Sequence, residues 1–113
     1  MSDPIVIVSA ARTPMGSFQG ALSPLSTTDL GAEAIKAAVS RSGISAEDIQ
    51  EVMMGCVLPA SLGQAPARQA AIKGGLPLSA GCTTINKVCG SGMKTVMLAH
   101  DAIASGSVDI VVA

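Results

Sequence analysis

Apolar and polar positions divide the chain into short runs separated by turn formers. Ile5 to Ala11 (I-V-I-V-S-A-A) is continuously apolar and rich in β-branched residues. Such a run predicts a central parallel strand covered on both faces. Pro14, Gly16, Gly20 and Pro24 then punctuate a loop, and Phe18 is expected to anchor it by packing. From Thr28 to Ser42 the period changes to that of a helix. Leu30, Ala34, Ile35, Ala38 and Val39 form a broad apolar stripe. Thr27 or Thr28 can cap the helix. Asp29 and Glu33 lie near its positive end, Lys36 and Arg41 near its negative end, and Gly43 is the expected left-handed stop. Ser45-Ala-Glu-Asp48 has capping-box spacing with Asp in place of Glu, so a short helical turn should follow.

Val52 to Leu58 reads as the second strand, with Cys56 inside it as a packed core thiol. After a Gly/Pro/Ser loop, Pro66 opens a helix that runs to Lys73 and is closed by Gly74 and Gly75. Arg68 on that helix is expected to form a salt bridge or to be a surface charge. Thr83 to Lys87 is the third strand, and Cys82 just before it reads as structural. Beyond Cys89 a helical pattern resumes. Met93, Val96, Met97, His100, Ile103 and Ala104 share one face, while Leu98, Ala99 and Ala102 fill much of the rest. A helix apolar nearly all round is buried inside a protein, which makes His100 an interior or interface residue. Ser105-Gly106 ends this helix, and Asp109 to Ala113 forms a last buried-strand run. The order β-α-β-α-β-α-β predicts an α/β fold with a mostly parallel sheet, right-handed crossovers and helices on both faces. The last run stops without a turn or polar tail. Residues 1–113 therefore read as an incomplete domain, the first portion of something larger.

Composition narrows the function classes. The 113 residues suit one domain; 49% are hydrophobic and only 13% charged, with one Phe and no Trp or Tyr. The net charge of −1 leaves no basic patch for nucleic acid. No apolar run reaches the length of a membrane span, and Met-Ser-Asp-Pro lacks the cationic flank of a signal peptide. Cys56, Cys82 and Cys89 match neither a zinc pattern nor a disulfide framework. Reduced thiols in the cytoplasm, with no metal and no resident cofactor, are the expectation.

Cys89 carries the candidate chemistry. It stands just ahead of a predicted helix start, followed by Gly90, Ser91 and Gly92. The unpaired N–H groups of a first helical turn favour thiolate by about 0.3–1 kcal/mol. The two glycines let a substrate carbonyl approach closely. The helix end alone does not make a nucleophile, which usually also has a base. His100 cannot serve, since eleven residues of helix place it about 16 Å away along the axis. Either Cys89 is structural or its base lies outside this chain, and the second reading is favoured.

Nucleotide-binding motifs fail on inspection. Gly90-Ser-Gly92-Met-Lys-Thr95 has Thr95 where a third glycine belongs, and no phosphate-binding loop with Gly-Lys-Ser/Thr occurs. Asn86-Lys-Val-Cys89-Gly-Ser-Gly-Met93, with Thr95, Val96 and Ile103 following, instead resembles the acyl-enzyme signature of the thiolase family, its acetyl-CoA acetyltransferase members in particular. The likeness extends along the chain. Ser9-Ala-Ala-Arg-Thr-Pro-Met-Gly16 with Phe18 and Gly20 is similar to the family's opening. Gly55 to Leu58 and Gly63-Gln-Ala-Pro-Ala-Arg-Gln-Ala70 are similar to its second strand and following helix. No departure from the pattern occurs within these residues.

The resemblance implies a thiolase-like N-terminal half-domain and ping-pong interconversion of two acetyl-CoA with acetoacetyl-CoA and CoA. Cys89 would carry the acyl group as a thioester, and its backbone N–H would contribute to an oxyanion hole. Coenzyme A thioesters would be substrates, not resident cofactors. In the family the activating histidine, a second acid–base cysteine and most CoA-gripping residues come from later in the chain. Two similar halves sandwich the cysteine helix, and the assembly is a homodimer or homotetramer with Thr83 to Lys87 at the dimer contact. Three other readings compete: a 3-ketoacyl-CoA thiolase of broader chain length, a ketosynthase acting on carrier-protein substrates, and a non-catalytic fragment or interaction module.

Overall fold

The computed structural model describes residues 3–113. Helix α1 spans Thr27–Ser42 and a single 3-10 turn Ala46–Asp48 follows. Strand β1 is Glu51–Gly55, α2 is Pro66–Lys73, β2 is Gly81–Ile85, α3 is Ser91–Ala104 and β3 is Val111–Val112. The three strands are parallel in the order β2-β1-β3.

Local chemistry explains the helix limits. Ser26, one residue earlier than expected, caps α1: its hydroxyl accepts from the Asp29 amide at 3.1 Å. The Asp29 carboxylate returns the bond to the Ser26 amide at 3.3 Å, completing a capping box. Gly43 ends α1 in the left-handed region, with φ 74°. The Ser45 side chain makes no cap bond, so the turn after it is a single round of 3-10 helix. Pro66 opens α2, and the Thr84 hydroxyl of β2 accepts from the Ala67 amide at 3.0 Å, satisfying one free donor of that helix start.

Strand alternation separates the two faces of β1. Val52 is fully buried and centres a core of Ile35, Ile49, Ala70, Ala71, Leu76 and Ala80, with Met54 packed against it. Helices α1 and α2 supply that face. They are tied at their ends by Lys73, whose Nζ donates to Thr28 Oγ1 and Asp29 Oδ1, both at 2.8 Å. On the opposite face α3 lies close against β1. A Cβ at Gly55 would come within 2.9 Å of Ser91 and of the Gly92 amide. Helices thus flank both faces, as the sequence pattern predicts.

Several expectations are corrected. Ile5 to Ala11 forms no strand and pairs with none among the described residues, and Val6, Ile7 and Val8 are exposed. A strand exists only through a neighbour's ladder, and the bond this segment receives comes from a helix, Arg41 Nη1 of α1 donating to Ala10 O at 3.4 Å. Phe18 anchors nothing: it is 93% exposed. The second strand ends at Gly55, so Cys56 stands just past it, half-buried rather than in the core. The third strand begins at Gly81 and includes the half-buried Cys82. Helix α3 buries the face of Ser91, Thr95 and Ala99, and turns Met93, Val96, Met97 and His100 outward. Small side chains permit the close approach to Gly55 that the large ones would block.

Candidate active site

The site is built where β2 hands over to α3. Asn86, Lys87, Val88, Cys89 and Gly90 form the turn, and Gly90 is the helix N-cap. Backbone bonds close it tightly: the Gly90 amide donates to Lys87 O at 3.0 Å and the Ser91 amide to Val88 O at 3.2 Å. Val88 adopts φ 47°, the left-handed region that a β-branched residue normally avoids. Cys89, at the outside of this sharp bend, is exposed.

Two side chains support the bend. Asn86 Oδ1 accepts from the Val88 amide at 2.9 Å, while its Nδ2 donates to Val57 O at 3.1 Å, just past β1. Buried Ser91 uses both capacities of its hydroxyl. It accepts from the Lys87 amide at 2.9 Å and donates to Val88 O at 2.6 Å. Thr95, also buried, donates to Gly92 O at 2.7 Å. A Cβ at Gly92 would meet nothing within 4 Å, so the space beside the helix start is open.

His100 is placed about two and a half turns along α3, exposed, with Nδ1 3.3 Å from Asp101 Oδ1. It is neither interior nor within reach of Cys89. Among the described residues Arg68 forms no ion pair, and it is not a free surface charge. Its Nη1 donates to Ala80 O at 2.9 Å and its Nη2 to Leu78 O at 3.0 Å, pinning the approach to β2. Cys82 Sγ lies 3.9 Å from Arg68 Nη1 and 3.5 Å from Ala80 O. A shallow groove of about 300 Å³ lies between Ala11–Pro14 and the Leu30, Ala34 and Ala37 side of α1, and Cys89 does not line it. Among the described residues no three His, Cys, Asp or Glu side chains gather as metal ligands, and no helix is long and apolar enough to cross a membrane.

A strand-to-helix turn presenting an exposed cysteine at a helix N-terminus is an arrangement suited to covalent acyl transfer. Residues 5–113 match the family model described as thiolase, N-terminal domain. The chain belongs to the thiolase family. It is 57% identical over 109 residues to the mitochondrial acetyl-CoA acetyltransferase of Danio rerio, covering 96% of this chain and 26% of that protein. It is 58% identical to the acetyl-CoA acetyltransferase of Cupriavidus necator, covering 96% of this chain and 28% of that one. The chain thus spans about a quarter of the length of the curated relatives it matches. The solved acetyl-CoA acetyltransferase of Syntrophomonas wolfei superposes with a TM-score of 0.90 at 35% identity, over 94% of this chain and 27% of that one. The Acat5 thiolase of Ascaris suum, solved in complex with coenzyme A, superposes with a TM-score of 0.89 at 45% identity, over 90% and 27%.

Proposed function

We propose that the complete polypeptide carrying these residues is an acetyl-CoA C-acetyltransferase in which Cys89 is the acyl-accepting nucleophile. The observation that carries this reading is the exposed Cys89 thiol, presented at the N-terminus of α3 by a left-handed Val88. Relatives named acetyl-CoA acetyltransferase, at 57% and 58% identity across the same residues, support the choice of substrate.

In the synthetic direction the Cys89 thiolate attacks the carbonyl carbon of acetyl-CoA. A bond forms between Sγ and the carbonyl carbon, and the negative charge moves to the oxygen. Amide donors of the turn stabilise that oxyanion, the Cys89 N–H among them. The carbonyl re-forms as the bond to the CoA sulfur breaks, and CoA leaves with the proton taken from Cys89. A second acetyl-CoA, deprotonated at its α-carbon, then attacks the Cys89 thioester. The new carbon–carbon bond gives acetoacetyl-CoA and returns the thiolate. The bases for both proton transfers come from outside residues 1–113, because His100 stands too far from Cys89. No metal takes part in this scheme, and CoA enters and leaves as substrate.

Homodimer or homotetramer assembly belongs to the same proposal. Support comes from β2, which forms one edge of the three-stranded sheet. A thiol-reducing compartment such as the cytoplasm is proposed from three cysteines that are all unpaired.

Intact-mass analysis tests the central claim. Brief incubation of the full-length polypeptide with acetoacetyl-CoA should add one acetyl group, mapped by peptide digestion to Cys89. Cys89→Ala should take no acetyl group and lose at least about 10³-fold in thiolysis. Wild-type turnover by that variant would remove Cys89 from the mechanism.

A further inference from the structure

Val88 raises a question that the nucleophile alone does not answer. A β-branched residue at φ 47° stores about 1–3 kcal/mol of backbone strain. Burial does not hold it there, since Val88 is 64% exposed. Backbone bonds from the Gly90 amide to Lys87 O and from the Ser91 amide to Val88 O close the turn, and a pair of neighbouring side chains grips the same two peptide planes on either side of the Val88 Cα.

The backbone angles of Val88 are the rotations between two rigid planes. The first plane carries the Val88 N–H, which donates to Asn86 Oδ1 at 2.9 Å. The second carries Val88 O, which accepts from Ser91 Oγ at 2.6 Å. With both planes tethered, φ and ψ are fixed together. The second plane also contains the Cys89 N–H. In a trans peptide that N–H points opposite to Val88 O. Ser91, by drawing Val88 O toward the helix start, therefore aims the Cys89 N–H away from it. Both anchors are themselves secured. Ser91 is buried and also accepts from the Lys87 amide at 2.9 Å, and Asn86 donates to Val57 O at 3.1 Å beyond β1.

We infer that Asn86 and Ser91 are positioning residues for the acyl-transfer step, clamping the left-handed Val88 so that the thiol and amide of Cys89 face the substrate carbonyl together. This rests on the reading of Cys89 as the nucleophile. Neither side chain touches substrate in this account. Each acts through the geometry of the Val88–Cys89 peptide, where a displacement of about 1 Å can lower a rate by roughly 100-fold.

The test is steady-state thiolysis of acetoacetyl-CoA by the full-length polypeptide and four sets of variants. Asn86→Ala and Ser91→Ala should each lower kcat by about 10- to 100-fold and leave KM within about threefold, the pattern of an interaction felt in the transition state. Asn86→Asp keeps the acceptor for the Val88 amide and should recover part of the Asn86→Ala loss. Glycine adopts φ 47° freely, so Val88→Gly added to Ser91→Ala should raise kcat above that of Ser91→Ala alone. Merely structural hydrogen bonds would predict no such suppression. Asn86 is exposed, so its variants carry the test should loss of the buried Ser91 hydroxyl unfold the protein. Wild-type kcat in Asn86→Ala, or no gain from Val88→Gly, overturns the inference. Cys89→Ala separates the two claims. If it is inactive while Asn86→Ala and Ser91→Ala turn over normally, the clamp alone fails. If Cys89→Ala is itself active, the nucleophile assignment fails.

Discussion

Asp29 accepts hydrogen bonds from both ends of a helix pair. Lys73 reaches it from α2, and Ser26 from the α1 cap. Its carboxyl pKa is lowered from 3.8 to about 2, first by the Lys73 bond and then by the bonds from Ser26. A depressed folded-state value means stability that is present above the unfolded pKa and lost as pH falls through the folded one. Asp29→Asn should therefore lower the urea midpoint at neutral pH, and the gap to wild type should close between about pH 4 and pH 2. An unchanging gap across that range would assign the effect to shape and not to charge. At this scale the sequence was readable where chemistry is local. Gly43 and Pro66 stand as expected, and Cys89 is exposed at a helix start. Arg68 was not readable, because its carbonyl partners lie 10 and 12 residues further on. The left-handed Val88 had no signal at all, since its residue type argues against that conformation. An asparagine two residues before it and a serine three after it were the available clue.

Helix α3 has the range its periodicity predicts, but only part of the all-round burial that its apolar pattern implies. Its heaviest apolar stripe, Met93, Val96 and Met97, is exposed among the described residues. The fold instead uses Ser91, Thr95 and Ala99, because a strand with glycine at position 55 admits only small side chains so close. Gly55→Ala should therefore unseat α3. Its Cβ would meet backbone atoms at 2.9 Å, and overpacking of that kind costs about 1–3 kcal/mol. Thermal denaturation of the full-length polypeptide measures it. Gly92→Ala is the control within the same turn. Its Cβ would meet nothing within 4 Å, and alanine in place of glycine inside a helix stabilises by up to about 1 kcal/mol. Unchanged stability in Gly55→Ala would mean that α3 is seated by other contacts. The strand expected at Ile5 to Ala11 failed for a different reason. Hydrophobic pattern records a demand for burial, whereas strand formation needs a specific partner that only topology supplies.

Across the described residues large apolar side chains remain exposed in several places, among them Val6 to Val8, Met15 and Phe18, Val57 and Leu58, and the Met93, Val96 and Met97 face of α3. Contiguous exposure of this kind favours association. Residues 1–113 expressed alone should elute above monomer size and show no thiolysis of acetoacetyl-CoA. A monodisperse, active 113-residue monomer would contradict both expectations. The parallel sheet flanked by helices was legible from the alternation of strand and helix patterns. The apolar composition foretold burial, but not which faces this chain covers by itself.

Cys89 is exposed while Cys56 and Cys82 are half-buried, and that difference has a bearing on damage. Room that admits a thioester carbonyl also admits hydrogen peroxide, and oxidation of a thiolate proceeds through sulfenic acid to forms that do not revert. Of the three thiols, Cys89 is the one an oxidant meets first. An acyl group already on its sulfur would replace the thiolate, the species that attacks peroxide, with a far less nucleophilic thioester. On the proposed mechanism, polypeptide carrying acetyl on Cys89 should outlast the free thiol form under oxidative stress, so substrate supply would also act as protection.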